Sequence, residues 1–212
     1  MNLKFLNSTF FLTAISSQAS LVLTGVIDGD LTGGNPKAVI VTATADIADL
    51  SIYGIGSANN GGGSDGEEFT FDAIPATTGE VFVLAGNSDS VTFFDTHYLG
   101  LTVLSNSAAN INGDDAIELF ESGAVIDTFG VIDVDGTGQT WEYSDGYAVR
   151  TSGTAGAFDE ANYNISDDGL DSLDESAHVP AIQSAFNFTP VPEPGVTLLG
   201  GVALLSLLRR RR

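Results

Sequence analysis

Cysteine is absent from this chain of 212 residues, and basic residues are scarce. Without cysteine, disulfide bonds, thiolate metal sites and cysteine nucleophiles are excluded. Seven Lys and Arg stand against 28 Asp and Glu, which gives a formal net charge of −21 at pH 7. Such an acidic balance is the opposite of the positive surface that nucleic-acid binding needs, so we expect no nucleic-acid partner.

Residues typical of catalytic sites are few. His97 and His178 are the only histidines, and they do not form a His pair at zinc-site spacing. We therefore predict a non-enzymatic protein with no catalytic residues. One alternative stays open, because abundant carboxylates supply pairs such as Glu118 with Asp127 or Asp133. Such a pair would serve an extracellular hydrolase or an accessory module of one.

The N-terminal residues have the pattern of an export signal. Lys4 precedes an apolar run over residues 5–15, and small residues follow at Ser17 and Ala19. This order predicts a signal peptide over residues 1–19, cleaved after Ala19 by signal peptidase. The alternative is that the run forms a first buried strand or helix.

The C-terminal residues combine three features in a fixed order. These are the motif Val191-Pro192-Glu193-Pro194, a 13-residue apolar run over 196–208, and the basic cluster Arg209, Arg210, Arg211 and Arg212. The run is short beside the roughly 20 apolar residues of a spanning helix, and the arginines would stay cytoplasmic. Together the features resemble the PEP-CTERM sorting signal; the alternative is an ordinary tail anchor.

The PEP-CTERM resemblance implies a partner and a destination. Such signals are read by an exosortase, a membrane cysteine protease of Gram-negative bacteria. The resemblance implies that residues 196–208 enter the inner membrane transiently. It further implies cleavage near the motif and release to the cell-envelope surface or the extracellular matrix, where polysaccharide or surface proteins would be partners.

The segment between the two ends has the pattern of a β domain. Residues 38–44 are rich in β-branched side chains, residues 68–71 alternate with a period of two, and Gly-, Asn- and Asp-rich turns separate such runs. Short strands with frequent turns predict an all-β sandwich or barrel. We expect the sandwich to span residues 20–165, followed by an acidic, polar linker over residues 166–190.

A β-hairpin over residues 112–130 is the clearest local unit. Two apolar runs are separated by a turn that contains Gly123, which predicts two antiparallel strands. We expect Val125 and Phe129 to share the core face with Asp127 between them. A carboxylate that points inward must be hydrogen-bonded, paired or metal-bound.

This hairpin resembles the central hairpin of the lamin-tail domain, an immunoglobulin-like β-sandwich. Residues 113–119 and 125–130 carry the resemblance, with weaker matches at 36–41, 49–54, 135–138, 141–143 and 146–150. The chain departs from the family at Val39-Ile40-Val41, where a glutamate is common. The resemblance implies a generally non-catalytic module of secreted bacterial proteins.

Three acidic segments are candidates for calcium, which binds oxygen ligands in flexible loops. Asp133 and Asp135 lie in a Gly-containing loop, although Ser144 stands where an EF-hand needs glutamate. Asp114 and Asp115 precede the hairpin, and the third segment holds Asp167, Asp168, Asp171, Asp174 and Glu175. Asp127 is a further candidate. The alternative is a solvated acidic surface that keeps a secreted protein soluble. We expect no other cofactor.

Taken together, these patterns predict an exported, non-enzymatic surface or matrix protein with a structural or adhesive role. Calcium-dependent adhesion and the carboxylate hydrolase are the alternatives.

Overall fold

A computed structural model describes residues 19–188 of the chain. These residues contain ten strands: β1 (Leu21–Leu31), β2 (Asn35–Ala43), β3 (Tyr53–Ala58), β4 (Phe69–Thr70), β5 (Val81–Ala85), β6 (Thr102–Ser105), β7 (Ala116–Glu121), β8 (Ala124–Phe129), β9 (Gly146–Arg150) and β10 (Tyr163–Ser166). Two α-helices accompany them: α1 (Ser88–His97) and α2 (Glu175–Ile182).

The strands form two sheets. The larger has the order β10-β9-β1-β2-β5-β6, and the smaller has the order β4-β3-β7-β8. All neighbours are antiparallel except β5 and β6, which are parallel and joined through α1. The prediction of a mostly-β protein built from two sheets is therefore confirmed.

The main core lies between the two sheets, and a second core lies outside the larger one. Leu23 of β1 and Leu119 of β7 belong to the first core. Ile40 of β2 belongs to the second, together with Phe94 of α1 and Ile182 of α2. Because successive residues of a strand point to opposite faces, the central strands of the larger sheet serve both cores.

The helix α1 was not predicted from the sequence. Its N-cap is Asn87, whose side chain accepts hydrogen bonds from the backbone N–H groups of Asp89 and Ser90. A parallel strand pair needs such a crossover connection, since a tight turn can join only antiparallel neighbours.

The predicted hairpin is present as β7 and β8. Ser122 and Gly123 form its turn, and both have a positive φ, as a type I′ turn requires. Asp127 points into the core as expected. Val125, however, is 44% exposed, so the prediction that it shares the core face with Phe129 is wrong. A bulge shifts the register of β8 between these two residues, which reverses the alternation.

Residues 166–188 do not form the polar linker that the sequence predicts over residues 166–190. Residues 167–188 turn back along the larger sheet and form α2 and a 3-10 turn at Gln183–Phe186. Leu170, Ile182 and Ala185 are fully buried in the second core. Because most residues of the segment are acidic or polar, its composition did not indicate that these few apolar side chains are buried. Their burial makes the segment part of the domain.

Candidate functional site

Three carboxylates from distant parts of the chain meet at one end of the larger sheet. Asp30 lies in β1, Asp145 precedes β9 and Asp171 follows β10. One ligand oxygen of each lies within 4.8 Å of the other two. Within residues 19–188, no other three His, Asp or Glu side chains approach one another as closely. We call these three residues the acidic triad.

Strand pairing and one returning loop assemble the acidic triad. The β1–β9 ladder extends to Asp28, so Asp145 lies beside the last residues of β1. The backbone N–H of Leu170 donates to the carbonyl of Asp145 at 2.7 Å. The N–H of Ser172 donates to Oδ2 of Asp30, also at 2.7 Å. These bonds hold the loop that carries the third carboxylate against the other two.

The acidic triad is a site of mutual repulsion. Asp171 is exposed, whereas Asp145 is half-buried. Burial raises the pKa of Asp145, and the negative charges of Asp30 and Asp171 raise it further. A hard divalent cation would replace this repulsion with attraction, and calcium takes about six to eight oxygen ligands. The triad could supply three of them.

Sequence analysis identified this site only in part. Asp171 lies in an acidic segment that was a calcium candidate, whereas Asp30 and Asp145 were not singled out. Asp145 stands in an Asp-Gly turn, a pattern too common to indicate a ligand. Asp30 and Asp145 meet because β1 pairs with β9, and Asp171 joins them through the returning loop. No local sequence pattern contains either relation.

Two of the predicted ligands, Asp114 and Asp135, accept hydrogen bonds from Thr137. Asp133 and Asp135 are exposed, and Oδ1 of Asp135 accepts the backbone N–H of Thr137 at 2.9 Å. Hydrogen bonds from the backbone N–H and the hydroxyl of Thr137 lower the pKa of Asp135. Oδ2 of Asp114 accepts the Thr137 hydroxyl at 3.2 Å, while its Oδ1 is buried and has no partner among the described residues. The loop therefore joins Asp114 and Asp135 through one threonine.

Asp115 is buried and serves two backbone groups. Its carboxylate oxygens accept the N–H groups of Asn60 and Asn112, each at 3.0 Å. Burial raises its pKa, and these two bonds oppose that shift. The carboxylate thus connects the Gly-rich loop after β3 with the turn before β7.

Asp127 forms a buried ion pair between the sheets. Nη2 of Arg150 donates to both of its carboxylate oxygens, at 2.7 and 2.8 Å. The backbone N–H groups of Leu23 and Gly156 donate to the same carboxylate at 2.9 and 3.0 Å. Burial raises the pKa of Asp127, and the Arg150 charge opposes this shift. The inward carboxylate is therefore both paired and hydrogen-bonded.

The suggested carboxylate pair of Glu118 with Asp127 does not share a face. Glu118 pairs with Thr128 across the β7–β8 ladder, whereas Asp127 pairs with Leu119. Adjacent positions of a strand point to opposite faces, so the sheet separates the two carboxylates. Asp133, the other suggested partner of Glu118, lies in an exposed loop.

An open groove of about 360 Å³ lies along α1. Phe93 and Thr96 of α1 line it, together with Asn35 of β2. At its rim, Nε2 of His97 lies 2.6 Å from Oε1 of Glu175 at the start of α2. Sequence analysis found no partner for His97, because Glu175 is 78 positions away.

The sorting residues fall mostly outside the described part of the chain. Residues 1–18 are not described, nor are Val191, Pro192, Glu193, Pro194, the run 196–208 or Arg209, Arg210, Arg211 and Arg212. Ala19 is described, and its carbonyl accepts the hydroxyl of Thr44 at 3.0 Å.

No family model matches the chain, and a search of curated proteins gives no match. Over residues 19–188, neither helix is long and apolar enough to cross a membrane.

Proposed function

We propose that this chain is an exported, non-enzymatic protein of the bacterial cell surface or extracellular matrix, with a structural or adhesive role. Its sandwich would be of the lamin-tail, immunoglobulin-like type. Signal peptidase would remove residues 1–19, and an exosortase would act at the motif that includes Pro192, Glu193 and Pro194.

One observation supports this proposal: all the described strands and helices lie between the two segments that are expected to be sorting signals. The first strand begins at Leu21, two positions after the expected cleavage residue Ala19. The last described element, the 3-10 turn Gln183–Phe186, ends five positions before Val191. Removal of both expected signals would therefore leave every described element in place, as the proposal requires.

The charge of the domain supports the same conclusion. Residues 20–190 hold 27 of the 28 acidic residues and only two basic ones, Lys37 and Arg150. Both of these are engaged inside the domain, since Lys37 pairs with Asp28 and Arg150 pairs with Asp127. The remaining surface charge is strongly negative, which favours solubility outside the cell.

The sorting proposal is tested by following an epitope-tagged chain through cell fractions. The intact chain should reach the outer surface or the medium, whereas a chain without Arg209–Arg212 should stay in the membrane fraction unprocessed. A matched control replaces the four arginines by lysines, which keeps the positive charge. Identical fractionation and processing of the intact and truncated chains would refute exosortase sorting.

A second candidate function is calcium-dependent adhesion or stabilisation, which the acidic triad favours. Calcium that binds only the folded state raises the melting temperature by mass action. Millimolar calcium should therefore raise the melting temperature of the domain, and a chelator should reverse the rise. Asp171→Asn should abolish the effect, whereas Asp89→Asn, at an exposed position of α1, should retain it. No calcium shift in the unmodified domain would refute a structural calcium site.

A further inference from the structure

The one lysine within residues 19–188 is held against a carboxyl group inside the domain. Lys37 of β2 lies directly opposite Asp28 of β1 in the strand ladder. Its Nζ pairs with Oδ1 of Asp28 and also donates to the carbonyl of Ile111 at 2.6 Å. The side chains of Lys37 and Asp28 are only 13% and 7% exposed. An amine and a carboxyl group are therefore fixed in contact where little water reaches them.

This contact brings together the two reactants of an amide bond. The Cγ of Asp28 is one bond beyond Oδ1, so the amine of Lys37 is already close to the carbon that it would attack. Holding two reacting groups in contact can equal an effective concentration of about 10⁵ M or more. Because buried charges are costly, burial favours the neutral amine and carboxylic acid, and proton transfer within the pair produces both. Exclusion of water also favours condensation over hydrolysis.

From this geometry we propose that Lys37 and Asp28 condense in the folded domain to an isopeptide bond, an amide between two side chains that links β1 to β2. The lone pair of Nζ forms the new bond to Cγ, and the bond between Cγ and one carboxyl oxygen breaks. That oxygen leaves as water, with its own proton and one proton from the amine, so the step needs no oxidant or other reactant. The remaining amide N–H can still donate to the carbonyl of Ile111.

A covalent link at this position would fasten the centre of the larger sheet. The strands β1 and β2 are its two middle strands, with β9 on one side and β5 on the other. A chain without cysteine cannot hold these strands together with a disulfide bond. The isopeptide bond would join them independently of packing and of backbone hydrogen bonds. The inference goes beyond the proposed function and does not depend on export.

Mass spectrometry of the purified chain, before and after digestion in the denatured state, tests the inference. The chain should weigh one water molecule less than its sequence requires. Lys37 is the only Lys or Arg between Lys4 and Arg150, and trypsin does not cut after a lysine whose amine is acylated. Residues 38–150 should therefore stay attached to the residues before them. Chymotrypsin cuts after Leu31, between the linked positions, and the peptides that hold Asp28 and Lys37 should remain joined.

The matched control is Lys37→Arg, which keeps the positive charge and the trypsin site but replaces the amine by a guanidinium that stays protonated. This variant should have its full mass and should be cut after position 37. An unmodified chain of full mass that trypsin cuts after Lys37 would overturn the inference. A loss of water that persists in Lys37→Arg would also overturn it, because succinimide formation at an Asp-Gly sequence such as Asp28-Gly29 would then explain the loss.

Discussion

Replacing Asp127 by alanine is expected to be among the most destabilising single changes in the domain. The carboxylate accepts hydrogen bonds from Arg150 and from the backbone of Leu23 and Gly156. Arg150 also donates to the carbonyls of Leu23 and Thr154, at 2.6 and 3.0 Å. The pair therefore ties β8 of the smaller sheet to β1 and β9 of the larger one.

The magnitude follows from the burial of both partners. The side chains of Arg150 and Asp127 are 3% and 1% exposed, so Asp127→Ala leaves a buried guanidinium without its counter-ion. Removing one partner of a buried pair costs about 3–5 kcal/mol. With a urea dependence of about 2 kcal/mol per molar, the unfolding midpoint should fall by about 2 M. The double variant Asp127→Leu/Arg150→Met removes both charges and should cost at least about 2 kcal/mol less than the sum of the single changes.

Urea unfolding of the domain, followed by tryptophan fluorescence, measures these differences. The matched control is Glu175→Gln, which removes the carboxylate contact with His97 at a side chain that is 60% exposed. That control should cost less than about 1 kcal/mol. A loss below about 1 kcal/mol for Asp127→Ala, or simple additivity in the double variant, would refute the structural role assigned to the buried pair.

Three further predictions follow from other buried or strained groups. The pKa of Asp145 in the folded domain is raised above its ordinary 3.8. The stability that this carboxyl contributes is therefore present below pH 3.8 and is lost as the pH rises through the folded pKa. With chelator present, Asp145→Asn should melt at a higher temperature than the unmodified domain, and the difference should be larger at about pH 7 than at about pH 4. Lys37→Met leaves the carboxylate of Asp28 buried without its cation, and the urea midpoint should fall by an amount that corresponds to about 3 kcal/mol; an unchanged midpoint would contradict the pairing. Gly113 has a φ of +84°, and an added Cβ would lie 2.3 Å from Cα of Ser144, so Gly113→Ala should lower the melting temperature by about 5 °C or more, whereas Gly138→Ala, with open space at a similar φ, should cost less.

Local sequence patterns predicted the parts of the fold that depend on local interactions. The hairpin of β7 and β8 was predictable because two apolar runs flank Ser122-Gly123, a turn whose backbone favours glycine. The helix α1 had a signal that was missed: Asn87 is a good N-cap, and Phe94 and Tyr98 recur at helical spacing. Residues 166–188 are buried through a few apolar side chains within an acidic segment. Composition alone therefore wrongly predicts an acidic, polar linker there.

The candidate site could not be predicted in the same way. Asp30, Asp145 and Asp171 come from three separate parts of the chain, and their meeting depends on which strands pair. The contact of His97 with Glu175 has the same origin, since it joins two helices that pack on one sheet. Sequence patterns indicated that carboxylates are abundant, and the strand order determines which of them meet.

The intact mass of the protein recovered from the medium or the cell surface of its own host tests the central claim most directly. The account predicts one product that begins at Ser20 and ends close to the motif Pro192-Glu193-Pro194, without the arginine cluster. A cytosolic product that retains both Met1 and Arg212 would contradict it.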